Sequence, residues 1–445
     1  MRTHIRCGTL FTGLTDRADA DQTIVIERDR ITQVVPTAGA PRAAPDDKVI
    51  DHSKEFVLPG LIDIHVHLSY GNAQANEDID IYGSTEFRAL RALHAAQLVL
   101  KAGYTSIADP ASTGYCTVGV RDAINAGMFQ GPRITTSGRQ LTGHQGLGDW
   151  YPDSIGVPDS SIGVLVRTPE EAIEEMRLQV KNRVDFIKVT VDGLHRNPAT
   201  SELMASFNQE ELDVIVKESH RLGRKVITHA RGREAVLYSA RAGVDIIFHA
   251  FEIDDECLDA IVKSGSILSP ALTFLANTIL FTRPSDPCYK WRPSMNRRDI
   301  EVACEGLIKA RKAGVPFMVG TDSGFAITPY GEWHAKELEI MVDYLGFSPG
   351  ESLRATTSVN AGLLREGKNV GRVAAGALAD LTVVRADPLQ DIKSLQQREN
   401  IAAVYLGGKE IAVDPPGKVT TYQWEHSFRQ WNETYTRDRV AELAR

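Results

Sequence analysis

Cysteine is scarce in this chain. There are five in 445 residues, at Cys7, Cys116, Cys257, Cys288 and Cys304, with no CxxC pair among them. That argues against a disulfide scaffold or a Cys-rich structural zinc module, and makes a reducing, cytoplasmic setting the expectation. Long hydrophobic runs are missing as well. No stretch reaches the roughly 18 apolar residues of a spanning helix, and the opening MRTHIRCGTLFTG lacks the apolar core of a secretory leader. Positive charge is not in excess either, with 50 Lys and Arg against 58 Asp and Glu, a net −8. Neither nucleic acid nor an anionic membrane is therefore an expected partner. With 42% hydrophobic and 24% charged residues, the chain is globular; disordered, collagen-like and coiled-coil classes are excluded.

The organisation comes from periodicity. Residues 1–57 alternate apolar and polar positions, as in TIVIERDRITQVV (23–35) and DKVIDHSKEFVL (47–58), and read as short strands. From 58 to 368 short apolar strands alternate with helices. The strands are LIDIHVHL (61–68), YTSIAD (104–109), RITTSG (133–138), VDFIKVTV (184–191), KVITHA (225–230), DIIFHA (245–250), SILSPAL (266–272) and FMVGTDS (317–323). Eight such units predict an α/β fold, a (β/α)8 TIM barrel. Residues 369–415 return to strands, expected to join the N-terminal ones in a small β-sandwich domain built from both chain ends. In 416–445, Trp424, Phe428, Trp431 and Tyr435 recur at spacings of four, three and four, predicting an aromatic helix face. Such a face docks on the chain's own barrel or on a second copy, and a homo-oligomer is expected. Residues 141–167 and 273–298 read as long loops at the mouth of the barrel, where lids and specificity loops sit.

Where the histidines fall decides the chemistry. His65 and His67 share one face of a strand, close enough to converge on one ion. His229, His249 and Asp322 are each the first ligand-type residue at the end of an apolar strand. Five such groups at one end of a barrel would be costly to bury unpaired. Nitrogen and oxygen ligands suit zinc first, then cobalt, manganese or nickel. Lys188 lies in the middle of VDFIKVTV. It reads either as an edge lysine reaching a surface carboxylate or as a desolvated amine that captures CO2, giving a carbamate able to bridge two cations.

LPGLIDIHVHL (58–68), Lys188, THA at His229, FHA at His249, GTDS (320–323) and GRVAAGALADLTVV (371–384) resemble the amidohydrolase superfamily. The likeness extends to about residue 415 and is strongest to its imidazolonepropionase-related branch of prolidase-like, carbamate and phenylurea hydrolases. The resemblance implies a binuclear metal centre. His65, His67 and Asp322 would hold one divalent ion and His229 and His249 the other, with carboxylated Lys188 and a hydroxide between them. Asp322 would shuttle the proton to the leaving amine. His144, in LTGHQG, matches a position that holds the substrate carbonyl or oxyanion in that branch. Arg231, two residues past His229, could anchor a substrate carboxylate or form a structural salt bridge. Trp150, Tyr151, Tyr289 and Trp291, with Phe274, Phe281 and Trp333, offer an aromatic slot. His195 is a weaker substrate-loop candidate, and His334 reads mainly as structural.

The expected reaction is hydrolysis of a C–N bond in a small molecule: amide, peptide-like or N-acyl. Aryl carbamates or phenylureas are the alternative on the same site. A mononuclear deaminase is disfavoured, because Gly232 stands where its shuttle glutamate would be and Glu234 falls two residues further on. A binding protein that has lost catalysis is disfavoured because no ligand position is lost.

Overall fold

The computed structural model describes residues 1–199, 202–414 and 427–445. The alternating sequence at both ends forms one seven-stranded sheet. Arg2–Phe11, Ala18–Glu27, Arg30–Pro36 and Lys48–Pro59 come from the front of the chain, and Leu381–Val384, Ile401–Leu406 and Lys409–Ile411 from the back. Lys48–Pro59 is the join. It runs parallel to Arg2–Phe11 and antiparallel to Leu381–Val384, with Val57 opposite Val383. Its side chains alternate between two cores. Val57 packs with Ile5, Ile24, Leu381 and Tyr405, while Phe56 and Leu58 enter the main core. Hydrogen bonds from Ala379 N to Asp29 O (2.8 Å) and Ile31 N to Ala377 O (2.9 Å) fold the sheet over on itself.

In the middle of the chain, Leu61–Asp63, Tyr104–Asp109 and Arg133–Thr136 form one parallel sheet. Gln140–Thr142, Phe186–Thr190, Lys225–Ala230, Ile246–His249 and Ile267–Ser269 form another, edged by Gly163–Leu165. Asp185 N bonds Thr136 O at 2.8 Å across one seam. At the other seam residues 317–323 lie between the sheets. Met318 N bonds Leu268 O and His67 N bonds Ser323 O, both at 2.8 Å. This is the layout of a TIM-type barrel, with the C-terminal ends of the strands on one face. Several of its helices begin at side-chain caps. Asn208 Oδ1 accepts from Glu211 N (3.0 Å) and Glu211 returns the bond to Asn208 N (2.8 Å), opening Gln209–Arg221. Among the described residues no helix is long and apolar enough to cross a membrane, and all five cysteines are free.

Two expectations change. Residues 273–298, read as a loop, hold the helix Thr273–Phe281 and the start of Arg292–Lys312. TFLANTILF is apolar nearly all round and buried over its first six residues, so no amphipathic period marks it. The aromatic stripe is not helical over 428–435, because the helix begins only at Arg437 and runs to Leu443. Trp431 and Tyr435 are buried, Phe428 is 85% exposed, and Trp424 lies outside the described residues. Asn432 N and the Tyr435 hydroxyl both donate to Asp286, so the segment bonds to a neighbouring loop instead of to its own turns.

Asp63 ties the first strand to residues 317–323 beneath the barrel mouth. It accepts from His65 N (2.9 Å), Thr321 N (3.2 Å), Thr321 Oγ1 (2.5 Å) and His334 Nδ1 (2.7 Å). His334 Nε2 accepts from Gly331 N at 3.0 Å, which leaves the ring proton on Nδ1 for Asp63. Asp63→Ala strands several buried donors at once and is expected to lower the unfolding free energy by about 3 kcal/mol or more. Asp63→Asn, which keeps an acceptor, should lose less. Urea unfolding reads this as a lower midpoint at constant slope; an unmoved midpoint in Asp63→Ala would show that the carboxylate does not join the two strands.

Candidate metal centre

His65 and His67 emerge just past Leu61–Asp63 with their Nε2 atoms 3.1 Å apart. Asp322 Oδ1 stands 3.0 Å from His67 Nε2 and 3.4 Å from His65 Nε2. His67 Nδ1 lies 3.3 Å from Ala111 O. Each residue of GTDS has a task. At Gly320 a side-chain carbon would meet His65 Cβ at 2.5 Å, Thr321 bonds Asp63, and Ser323 N bonds His65 O at 3.1 Å. Asp322 between them takes a left-handed backbone, φ 58°.

His229 ends Lys225–Ala230, and His249 ends the neighbouring strand with its ring 4.4 Å from that of His229. Regular strand alternation would send Phe248 and His249 to opposite faces. A φ of 73° at His249 breaks the alternation. The His249 ring consequently lies 5.4 Å from His65, while Phe248 stacks on His65 at 4.2 Å. Left-handed non-glycine residues cost on the order of 1–3 kcal/mol, and here two of them bear ligand-type side chains. Lys188 is 1% exposed, its Nζ 4.1 Å above the Phe248 ring. The structure thus brings together all six residues proposed from the sequence as a ligand set.

The electrostatics follow from burial. Desolvation pushes the Lys188 ammonium down to about 7, against the pull of Asp322 and Asp192. Burial, then the neighbouring histidines, hold His65 and His229 well below the usual imidazole range, and burial takes His249 to about 3. For Asp322 burial acts upward, but the His67 hydrogen bond and the charges of His67, His249 and Lys188 outweigh it, and its carboxyl sits below the ordinary value. His65 Nδ1, Lys188 Nζ, His229 Nε2 and His249 Nδ1 are buried without a hydrogen-bond partner. Each bare polar atom costs about 1–3 kcal/mol. His65, His249 and Asp322 offer ligand atoms all within 4.8 Å of one another. Imidazoles, a carboxylate held below its ordinary value and an amine whose charged form burial disfavours make a donor set for a divalent cation, and the residues present fit one.

Asp192 and Phe248 belong to this cluster and were not anticipated. Asp192 Oδ2 accepts from Arg231 N (2.6 Å) and Gly232 N (2.7 Å), and its Oδ1 is 3.4 Å from His229 Nε2. The available signal was its position: an acid two residues past a buried strand.

Several sequence-chosen substrate residues lie elsewhere. The His144 side chain is 61% exposed and pairs with Asp149 at 3.3 Å. With Tyr151 it lines a cleft of about 350 Å³ among Arg139, Asp153 and Arg167, none of them in the ligand set. The partner of this imidazole is Asp149, within its own loop LTGHQGLGD. The Trp150 indole N–H is taken by the buried Asp80 at 2.7 Å. Arg231 is engaged by Asp192 (3.7 Å) and by the Gly193 carbonyl, so of its two readings the structure supports the salt bridge. Tyr289 and Trp291 are about half exposed, at 44% and 49%, and His195 is exposed.

Known proteins share this architecture. Ochratoxinase of Aspergillus niger is 30% identical over 380 residues, covering 80% of this chain and 76% of that protein. Imidazolonepropionase of Idiomarina loihiensis is 24% identical over 397 residues, covering 82% of this chain and 85% of its own. The crystal structure of a Xaa-Pro dipeptidase with bound methionine superposes with a TM-score of 0.79 at 28% identity, covering 92% of this chain and 100% of that one. The model of the Amidohydrolase family matches residues 56–411, from the last N-terminal strand to the end of the sheet's C-terminal hairpin, and the chain belongs to that family.

Proposed function

We propose that this chain is a metal-dependent hydrolase of a C–N bond, an amide, peptide-like or N-acyl bond in a small molecule. The observation that carries the reading is the cluster of buried donors at the barrel mouth, several without a hydrogen-bond partner, whose charged forms burial disfavours. His65, His67 and Asp322 would hold one divalent cation and His229 and His249 a second, with carboxylated Lys188 between; the nitrogen and oxygen donors suit Zn2+ first, then Co2+, Mn2+ or Ni2+. Such cations polarise a carbonyl and make a water acidic enough to lose a proton near neutral pH. The names of the relatives, a dipeptidase among them, support amide-type chemistry.

The chain's own residues supply the rest. Asp322 stays ionised next to His67, so its carboxylate can accept the proton of the attacking water. It then returns that proton to the departing nitrogen, acting as base and acid in turn. Phe248 floors the site beneath Lys188 and His65, and the burial of the lysine brings its ammonium down to about 7, where a neutral amine is available to CO2. Asp192 orients the backbone after His229 through the Arg231 and Gly232 amides.

Two measurements test this. Elemental analysis of the purified protein should find divalent metal, and a chelator should abolish hydrolysis of an amide panel, with activity returning on Zn2+ addition; protein that is active with no bound metal would refute the proposal. Asp322→Asn should lower kcat by about 100- to 10,000-fold, the range of a lost proton-transfer group. An Asp322→Asn enzyme within a few-fold of the parent would remove Asp322 from proton transfer.

A further inference from the structure

The last described segment of the chain builds one wall of the barrel mouth. Gln430 N bonds Gln74 O at 2.8 Å, Cys288 N bonds Gln430 O at 3.2 Å, and Asn432 N bonds Asp286 Oδ1 at 2.8 Å. Residues 427–436 thereby strap the loop after the first barrel strand to the loop that follows Thr273–Phe281. Along this wall, aromatic rings run outward in contact from the metal-ligand candidate His67. Tyr70 stacks on His67 at 4.2 Å, Phe325 meets Tyr70 at 5.2 Å, Phe274 meets Phe325 at 5.1 Å, and Trp431 meets Phe274 at 5.8 Å.

Arg292 ends the row. Its guanidinium carbon lies 5.1 Å from the centroid of Phe274, 5.0 Å from Trp431 and 5.5 Å from Trp291. Nη1 donates to the neutral Gln430 Oε1, and Nε is buried without a partner. Among the described residues no carboxylate forms an ion pair with it at 4.0 Å or less. Burial holds the guanidinium down to about 10, with Cys288 opposing, Arg231 adding to the shift and the Asp322 carboxylate resisting it. A guanidinium fixed among aromatic faces and short of a counter-ion is a cost that an incoming anion relieves, and its planar fork matches a carboxylate. Arg231, the cation first considered for this role, is already spent on Asp192 and Gly193 O.

We propose that Arg292 is a specificity residue that seats a free carboxylate on the substrate, whose apolar or aryl group lies along Phe274 and Phe325. This rests on the hydrolase reading above and narrows it to N-acyl amino acids with an apolar side chain.

The test compares N-acyl-phenylalanine with its uncharged primary amide, following cleavage of the acyl bond by chromatography, in the metal-loaded parent, Arg292→Leu, Arg292→Lys and Gln430→Ala. Arg292→Leu is expected to raise KM for the acid by about 10- to 100-fold, the worth of one charge-assisted contact, with kcat and the parameters for the amide little changed. Arg292→Lys should fall between, and Gln430→Ala, which loosens the strap but keeps the cation, should retain the preference for the acid. Circular dichroism checks folding, and if Arg292→Leu does not fold, Arg292→Lys carries the same comparison. Equal losses on acid and amide, or an unchanged preference, would reduce Arg292 to a clamp for the strap and overturn the proposal. A parent that cleaves neutral phenylureas or aryl carbamates but no N-acyl acid overturns it while leaving the hydrolase reading intact. A metal-loaded parent that cleaves none of these overturns both.

Discussion

Everything at the barrel mouth answers to the desolvation of one lysine, four imidazoles and a carboxylate packed within a few ångströms of one another. Burial disfavours the charged forms of Lys188, His65, His229 and His249 and leaves several polar atoms of the cluster bare. An apolar core of the same volume would avoid that cost. The wall around the cluster is shaped to hold it: Gly320 leaves room for His65, and Asp63 locks the first strand to the last beneath the ligands. His249 and Asp322 accept left-handed backbone so that their side chains face inward. The geometry is bought with local strain at the positions where the chemistry would occur.

Much of this is legible in one dimension because the barrel repeats. An apolar strand that ends in His or Asp points that residue at the mouth, so HxH, THA, FHA and GTDS could be read without coordinates, and so could Lys188 within an otherwise apolar strand. What could not be read depends on broken periodicity. Phe248 and His249 cannot both face inward on a regular strand, and only the turn of φ at His249 permits it. Asp192 acts through its hydrogen bonds to backbone amides 39 and 40 residues away. The aromatic spacing in the tail suggested a helix, yet Trp431 and Tyr435 are buried by an irregular strap whose partners, Asp286 and Thr282, lie about 150 residues earlier. The role of His144 is implied by the family resemblance alone, and its side chain pairs with Asp149 of the same loop.

The seven-stranded sheet explains how chain ends so distant in sequence come to support one site. Lys48–Pro59 presents Val57 to the sheet's own core and Phe56 and Leu58 to the barrel's. Shifting it by one residue would exchange those faces, so both cores must agree on a single register. The first histidine strand begins two residues after this one ends, and the position of His65 is therefore set partly by Leu381–Val384, which pairs with Lys48–Pro59 from the far end of the chain.

Sequence order along the barrel also has a temporal side. His65 and His67 follow the first barrel strand and Asp322 lies beyond the seventh, so a ribosome adding about 5–20 residues per second releases the histidine pair some ten seconds or more before the carboxylate that faces it. Over that interval the pair would offer an ion at most two imidazole donors. The full donor set forms only when residues 317–323 close the seam beside the first strand. If the proposed ligand set holds a metal, the choice of ion would thus fall to the finished cage instead of to whichever ion meets the nascent chain first.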